Sequence, residues 1–245
     1  MKHEPLTAAS PWVVVWNRKY DEQARTPKPF APVPSGGSPF CRAIEAALKW
    51  APAAQIAPIV LRNHRPWWSK AVNALSSRHL VEQPFDRGTA PGLLLGLLRI
   101  ARSNSDAQVA LLCSEYHPPS ASLVMQARRR LDRRTPLAVC VCRPNEVDRV
   151  VPIRTDHDWP DGIIRPGDVL VASVHALIQI FAATQPDLTE RFVETLDGSS
   201  LFDEGALDRL YPFLPEVDFE AEVLRAFYRD DLRTGSTVVQ GLAMS

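Results

Sequence analysis

The sequence predicts an α/β fold in which helices cover both faces of a mostly parallel sheet. Short apolar runs of strand length recur between residues 12 and 142, and stretches with apolar residues at helical spacing lie between them. Strand and helix alternate at short intervals. This alternation is typical of parallel sheets, because parallel strands need a crossover connection that is usually a helix.

The first half of the chain supplies five predicted strands. The run WVVVW at residues 12–16 is rich in β-branched and aromatic side chains, as buried strands are. Further strands are predicted at residues 56–61, 78–82, 109–113 and 136–142, and helices at residues 40–50, 66–75, 92–101 and 122–133. Thr89 is the predicted N-cap of the 92–101 helix, and Pro91 lies early enough in it to be tolerated.

The order of elements is weaker in the second half. A strand is predicted at residues 150–153, a strand running into a helix at 168–183, helices at 188–196, 203–210 and 219–228, and a last strand at 237–242. The sequence shows no internal repeat and no clear domain boundary. Residues 1–245 are therefore predicted to form a single domain, and a hydrophobic content of 45% is ample for its core.

Composition and charge exclude several classes of partner. Lys plus Arg and Asp plus Glu both total 28, so the net charge is zero and no overall field attracts the protein to nucleic acid or an anionic membrane. The apolar stretches fall short of the roughly 20 residues that a membrane helix needs. The first ten residues, MKHEPLTAAS, lack a hydrophobic signal core. We expect a cytoplasmic protein, and either self-association or a protein partner is compatible with this composition.

The four cysteines lie mostly in apolar segments, and two of them, Cys140 and Cys142, alternate along one predicted strand. Without a second pair or nearby histidines, this C-x-C spacing is a weak zinc signal. The sequence therefore favours free, buried thiols over half of a metal site.

Three loops are expected to meet at the carboxyl edge of the predicted sheet, where open parallel sheets bind ligands. They comprise residues 17–30, 83–89 and 114–119. Lys28 offers a point charge, Arg87 a planar fork for paired oxygens, and the helix after Thr89 free backbone amides, all suited to a phosphorylated ligand. Glu115 could hold a divalent cation. Each residue by itself is also compatible with an ordinary surface or salt-bridged role.

Several motifs together resemble those of the sugar-1-phosphate nucleotidyltransferases, most closely the mannose-1-phosphate guanylyltransferase branch. Residues 27–30, PKPF, resemble the family's PKxF, and residues 82–91, EQPFDRGTAP, resemble its QPxxRGTAP. Ser114 and Glu115 stand in the place of its SDH. Later segments that look like the second half of the family's domain are residues 168–172, 186–188, 210–211 and 217–219.

The resemblance implies a Rossmann-like nucleotidyltransferase domain of the GT-A type. In that family a sugar-1-phosphate attacks the α-phosphorus of a nucleoside triphosphate, pyrophosphate leaves, and an Asp-bound Mg²⁺ neutralises charge, so catalysis is mostly positioning and electrostatics. By this resemblance the nucleotide-binding residues are Gln83, Arg87, Gly88 and Thr89, with Arg18 as a further candidate. Lys28 is the candidate catalytic residue and Glu115 the candidate metal ligand.

The sequence departs from the family at the motifs that carry the chemistry. Trp16–Tyr20 (WNRKY) stands where the family has the glycine-rich GGxGTR loop, and its bulky side chains would fill the space of the phosphates. Glu115 replaces the metal-binding Asp, and Tyr116 stands where the His would be. The EKP segment has no clear counterpart near Arg143, and no WxDxG turn is found up to Ser245.

Three hypotheses follow. The first is a nucleotidyltransferase-like domain with a decayed active site, which serves nucleotide or nucleotide-sugar binding, regulation or assembly and needs no cofactor. The second is a working, divergent nucleotidyltransferase that uses Mg²⁺ and an altered site containing Arg18, Lys19, Lys28 and Glu115. The third is an unrelated α/β domain with a coincidental RGTAP.

Overall fold

A seven-stranded sheet lies at the centre of the structure, a computed structural model that describes residues 10–18, 26–34, 36–73, 75, 79–132, 134–142, 147–153, 168–195, 201 and 203–228. Within these ranges the strands are β1 (Trp12–Trp16), β2 (Ile56–Leu61), β3 (Val81–Gln83), β4 (Gln108–Cys113), β5 (Leu137–Val141), β6 (Arg149–Ile153) and β7 (Val169–Ser173). Their spatial order is β3-β2-β1-β4-β7-β5-β6.

The sheet is mixed, but most of its strands point the same way. β1 pairs in parallel with β2 and β4, and β2 pairs in parallel with β3. β7 is antiparallel to both β4 and β5, and β6 is antiparallel to β5. β5 therefore runs in the direction of β1 to β4, which gives five of seven strands one direction and confirms the mostly parallel α/β prediction. The carboxyl ends of β1 to β4 consequently lie at one edge.

Helices cover both faces of the sheet. They are α1 (Pro39–Trp50), α2 (Arg65–Val72), α3 (Thr89–Ser103), α4 (Ala121–Arg129), α5 (Val174–Thr184), α6 (Pro186–Thr195), α7 (Glu204–Leu210) and α8 (Arg225–Tyr228). Short 3₁₀ turns occupy Lys28–Phe30, Ala53–Gln55, Arg62–His64 and Tyr211–Phe213, and a π-helical turn, Phe219–Leu224, precedes α8. None of the helices in the described ranges has both the length and the apolar character that crossing a bilayer requires.

The alternation of side chains along β1 shows how two cores arise. Val13 and Val15 pack into one core with α1, α2 and α4, whereas Trp12, Val14 and Trp16 pack into the other with α3, α5, α6 and α7. Successive side chains of a strand point to opposite faces, so a strand buried on both faces must be apolar throughout. This is why the run WVVVW identifies β1 in the sequence.

Helix α3 lies closest to the sheet at Gly92. A Cβ atom at this position would lie 2.6 Å from Ile59 Cγ2 and 2.7 Å from Gln83 Cδ, so only glycine permits this approach. Later in the helix the buried Arg99 donates to the main-chain oxygens of Leu80 and Leu201, at 2.6 and 2.7 Å. These contacts hold α3 against the rest of the protein along its length. The helix is buried nearly all round, as its apolar sequence indicates.

Most predicted elements are present with shifted ends. β3 begins at Val81 and not at residue 78, and α4 ends at Arg129 and not at residue 133. The prediction of Thr89 as an N-cap is wrong. Gly88 is the N-cap of α3, and the Thr89 hydroxyl accepts a hydrogen bond from the Phe219 amide instead. The predicted strand at residues 237–242 lies outside the described residues, as do Lys19, Tyr20, Arg143 and Pro144.

Candidate functional site

Buried polar side chains tie the carboxyl ends of three central strands together. The Ser114 hydroxyl, after β4, donates to Asn17 Oδ1 at 2.5 Å, and the Asn17 amide, after β1, donates to the main-chain oxygen of Ile59 in β2 at 3.3 Å. The Ser114 amide also donates to the main-chain oxygen of Trp16 at 2.8 Å. Asn17 therefore fills the space at the end of β1 with a fully engaged side chain.

Arg18 joins three parts of the chain at this edge. Its backbone amide donates to Glu115 Oε1 at 3.1 Å, and its guanidinium donates through Nη1 to the Tyr116 hydroxyl at 2.5 Å. Its Nη2 forms an ion pair with Glu220 Oε2 at 3.3 Å. The loops after β1 and β4 are thereby connected to the start of the last helical segment, and the charge of Arg18 is compensated inside the protein.

The ionisation of this cluster reflects its partial burial. The pKa of Glu220 is raised, mainly because burial disfavours its charged form; Arg18 opposes the shift, while Asp218, Glu115 and Asp168 add to it. Burial also raises the pKa of Tyr116, so its hydroxyl keeps its proton. For Arg18, burial acts to lower the pKa, but its negative neighbours, Glu220 first, outweigh that effect and raise it. Arg18 stays a cation.

Arg87 does not face the cleft with a free guanidinium. Its Nε donates to the main-chain oxygen of Tyr211 at 3.0 Å and its Nη2 to that of Pro212 at 2.7 Å. Its own carbonyl oxygen accepts from the Val217 amide at 3.1 Å. We call residues 211–220 the closing segment. Main-chain oxygens of the closing segment thus accept from two donors of this guanidinium. That Arg87 binds paired ligand oxygens stays a prediction.

The start of α3 is also occupied by the closing segment. The Ala90 amide donates to the main-chain oxygen of Val217 at 3.0 Å. A Cβ atom on Gly88 would lie 2.3 Å from that same oxygen, and the φ of Gly88 is 79°. Thr89 Oγ1 accepts from the Phe219 amide at 2.7 Å and lies 3.4 Å from Asp218 Oδ2. One of the backbone amides at the start of this helix, which were expected to be free, is therefore bonded to a carbonyl oxygen of the protein.

Gln83 also contacts the closing segment. This buried residue accepts from the hydroxyl of Tyr211 at 3.4 Å, and burial strongly raises the pKa of Tyr211, which keeps that hydroxyl protonated. The structure thus brings together the residues predicted to bind nucleotide, and each of them contacts the closing segment. They are Arg18, Gln83, Arg87, Gly88 and Thr89.

The remaining cleft is small. Its cavity volume is about 10 Å³, which is about the space of one water molecule. Trp16, one of its walls, packs edge-on against Phe219 of the closing segment with ring centroids 6.0 Å apart. In this conformation Trp16 and Phe219 narrow the cleft between the described residues that line it. The other residues that line it are Asn17, Arg18, Ile59, Gln83, Asp86, Gly88 and Thr89.

Glu115, the candidate metal ligand, already has a partner within the protein. Among the described residues, no group of three or more His, Cys, Asp or Glu side chains is arranged to hold a metal ion. Glu115 Oε1 accepts from the Arg18 amide, and the Arg18 guanidinium supplies the positive charge nearby. The four cysteines are free thiols; Cys113 and Cys140 are buried, as the sequence favours, whereas Cys41 and Cys142 are only partly buried.

Lys28 belongs to a turn on the other core. Its neighbour Phe30 packs against Phe40, with ring centroids 5.3 Å apart, and against His64, at 6.0 Å. The Lys28 side chain is exposed. The sequence did not single out Glu220 or Tyr211 as site residues. The only sequence signal was that Tyr211 lies in a segment resembling the second half of the family's domain and Glu220 lies in the helix predicted at residues 219–228.

Comparison with solved structures identifies the fold. Mannose-1-phosphate geranyltransferase from Thermus thermophilus superposes with a TM-score of 0.57 at 17% identity, over 88% of this chain and 71% of that chain. This chain has a sugar-phosphate nucleotidyltransferase-like fold. The resemblance drawn from the sequence motifs is thereby confirmed at the level of the fold. No protein-family model and no curated protein matches the sequence.

Two further solved structures are similar over comparable lengths. A cytidylyltransferase from Leptospira borgpetersenii serovar Hardjo-bovis (strain JB197) has a TM-score of 0.44 at 10% identity, over 84% of this chain and 76% of that chain. Mannose-6-phosphate isomerase from Helicobacter pylori has a TM-score of 0.46 at 12% identity, over 85% of this chain and 90% of that chain.

Proposed function

We propose that this protein is a nucleotidyltransferase-like domain that does not catalyse nucleotidyl transfer and serves instead in binding a nucleotide or nucleotide sugar, in regulation or in assembly. One observation carries the proposal: Arg18, Gln83, Arg87, Gly88 and Thr89 all contact the closing segment. The groups that could bind a triphosphate are instead bonded to other groups of the protein. Nucleotidyl transfer depends on charged groups positioned around the phosphates, and here those groups are held by the closing segment.

The chemistry of the acidic groups supports the same proposal. Metal-assisted phosphoryl transfer needs carboxylates free to coordinate the cation. Here Glu115 is hydrogen-bonded to the Arg18 amide, and Glu220 is paired with the Arg18 guanidinium. A protein organised in this way needs no Mg²⁺ to neutralise this edge of the sheet, because Arg18 already does so.

The second candidate function is nucleotidyl transfer by a divergent site. It is favoured by one observation, the gathering of Arg18, Glu115 and Glu220 at the carboxyl edge of β1 and β4. A movement of the closing segment would carry Glu220 away and expose the Arg18 guanidinium beside Glu115. In that function Mg²⁺ would bind Glu115, and the protein would make a nucleotide sugar from a nucleoside triphosphate and a sugar-1-phosphate.

A pyrophosphate assay separates the two functions. The protein is incubated with Mg²⁺, each nucleoside triphosphate and a panel of sugar-1-phosphates, and released pyrophosphate is measured against Glu115→Ala and an exposed control, Glu190→Gln. We expect all three proteins to stay at background. Release that survives in Glu190→Gln and disappears in Glu115→Ala contradicts the proposal. Calorimetry with GTP and GDP-mannose then tests binding, and the absence of heat would leave assembly as the function.

The cellular location is part of the proposal. All four cysteines are free thiols, and reduced cysteines are the rule in reducing compartments. We therefore place the protein in the cytoplasm. Its assembly, with itself or with a protein partner, is tested by light scattering of the purified protein and by crosslinking in cells.

A further inference from the structure

The ion pair between Arg18 and Glu220 is unevenly buried. The Arg18 side chain is 43% exposed and the Glu220 side chain 16% exposed, and Arg18 Nη2 lies 3.3 Å from Glu220 Oε2. Arg18 also lines the small cleft beside Gly88 and Thr89. Solvent can therefore reach the guanidinium while one side of it is held by a carboxylate of the closing segment.

The surroundings of Glu220 disfavour the charged form of its side chain. Burial and the negative charges of Asp218, Glu115 and Asp168 together outweigh the attraction of Arg18, since the pKa of Glu220 is raised and not lowered. A partly exposed ion pair contributes little to stability. The contact between Arg18 and Glu220 is consequently one that a better anion can replace.

The backbone around Glu220 does not depend on this ion pair. The Asp218 amide donates to Glu222 Oε1 at 2.7 Å, and Asp218 Oδ1 accepts from the Ala221 amide at 2.7 Å. These two bonds cap the start of the π-helical turn reciprocally. The Glu220 side chain can therefore leave Arg18 while the turn that carries it stays formed.

We propose that Glu220 is an internal competitor for the anion position at Arg18, so that a phosphate group entering the cleft displaces its carboxylate. The inference rests on the proposed binding function and adds its regulation and its ligand class, a small molecule that carries phosphate. A phosphate has more charge and more acceptor oxygens than a carboxylate, and it can take both Nη groups of an arginine. The Tyr116 hydroxyl, already bonded to Arg18, stands ready as a further donor.

The experiment measures the affinity of phosphate compounds for the full-length protein and its variants. Calorimetry at low ionic strength, where charge effects are screened least, is performed with inorganic pyrophosphate, GTP and mannose-1-phosphate. Glu220→Gln removes the competing charge and keeps the shape of the side chain. We expect it to bind pyrophosphate and GTP at least about tenfold more tightly than the wild type, equivalent to about 1.4 kcal/mol.

Two further variants assign the effect to the contact. Glu190→Gln, an exposed change on α6, is expected to keep the wild-type affinity. The double variant Arg18→Gln/Glu220→Gln is expected to lose the gain. Equal affinities of wild type and Glu220→Gln for all three probes overturn the proposal, as does a gain that persists in the double variant. Circular dichroism melting confirms that each variant is folded, and Glu220→Ala serves as the alternative if Glu220→Gln is not.

These outcomes are distinct from a failure of the proposed function. Pyrophosphate release by the wild type would contradict the loss of nucleotidyl transfer, but it would not change the expected ratio of affinities between Glu220→Gln and the wild type. Equal affinities without pyrophosphate release would overturn the competition by Glu220 and leave the loss of transfer standing.

Discussion

Arg87 donates to the main-chain oxygen of Tyr211, 124 positions later in the sequence, and a second donor of the same guanidinium reaches the oxygen of Pro212. Arg87, which the sequence suggests as a phosphate ligand, thus holds the closing segment through two hydrogen bonds, which we call the clamp. The two bonds are made by the fixed geometry of the guanidinium, which a lysine cannot reproduce.

The clamp leads to a stability prediction. Arg87→Ala removes charged donors from two main-chain oxygens, and a hydrogen bond to a charged group contributes about 1.5 to 3 kcal/mol. Because one of these bonds is exposed, we expect the free energy of unfolding to fall by about 1 to 3 kcal/mol, with little recovery in Arg87→Lys. Urea denaturation measures this. Arg129→Ala, an exposed change at the end of α4, is the control, and an Arg87→Ala variant as stable as this control would show that no clamp exists.

Gly88 allows a second prediction about the closing segment. Its φ of 79° and ψ of −172° lie in a region accessible essentially to glycine alone, and the oxygen of Val217 occupies the place of a Cβ atom. Strain and overlap together predict that Gly88→Ala is less stable by about 2 to 5 kcal/mol.

Gly36 is the matched control for this change. Its φ is also positive, at 87°, but nothing lies within 4 Å of the Cβ position. Gly36→Ala therefore incurs only the left-handed backbone cost of about 1 to 2 kcal/mol. Equal losses in the two variants, measured by thermal unfolding, would refute the close contact between Gly88 and Val217.

Helix α3 offers a pair of glycines with opposite expected effects. At Gly92 a methyl group overlaps Ile59 and Gln83, so Gly92→Ala is expected to destabilise by about 1 to 3 kcal/mol. At Gly96 the nearest atom, Val81 Cγ2, is 3.6 Å away, an ordinary contact. Gly96→Ala should stabilise the protein by about 0.5 to 1 kcal/mol, since alanine is the better helix former. The unfolding midpoint of Gly96→Ala should therefore lie above that of Gly92→Ala. The reverse order would contradict the packing of α3 on β2.

Glu220 predicts a pH dependence whose direction follows from its raised pKa. Burial is the main cause, and Asp218, Glu115 and Asp168 add to the shift against the attraction of Arg18. The folded state therefore holds this proton more tightly than the unfolded state, and the contribution of Glu220 to stability falls as the pH rises through the folded pKa. Glu220→Gln cannot ionise. Relative to the wild type it should gain stability as the pH rises above about 4, where an ordinary glutamate ionises. A gain that shrinks with pH would show that the ion pair outweighs burial.

The central strands were predictable because their signal is local. β1 and β2 are continuous apolar runs buried on both faces, and such runs identify strands directly. The position of β7 was not predictable. It lies antiparallel between β4 and β5, and this pairing joins segments far apart in the chain, which no local pattern records.

In the candidate site, too, the sequence predicted local features and missed contacts between distant segments. The sequence placed Arg18, Arg87 and Thr89 at the carboxyl edge, because they follow strands or begin a helix there. It did not indicate their partners, since Phe219 and Glu220 lie at the start of a predicted helix and Tyr211 follows another, and a helical pattern does not show which distant groups its residues contact. The capping role expected for Thr89 was lost to a tertiary hydrogen bond with Phe219. Local propensity is overridden where distant backbone groups require a partner.

The release of pyrophosphate in the presence of Mg²⁺, GTP and mannose-1-phosphate tests the central claim most directly. If the closing segment has replaced the ligand at Arg18, Arg87 and Thr89, the wild type and Glu115→Ala will both remain at the rate of a protein-free control. Sustained release by the wild type that Glu115→Ala abolishes would contradict the account.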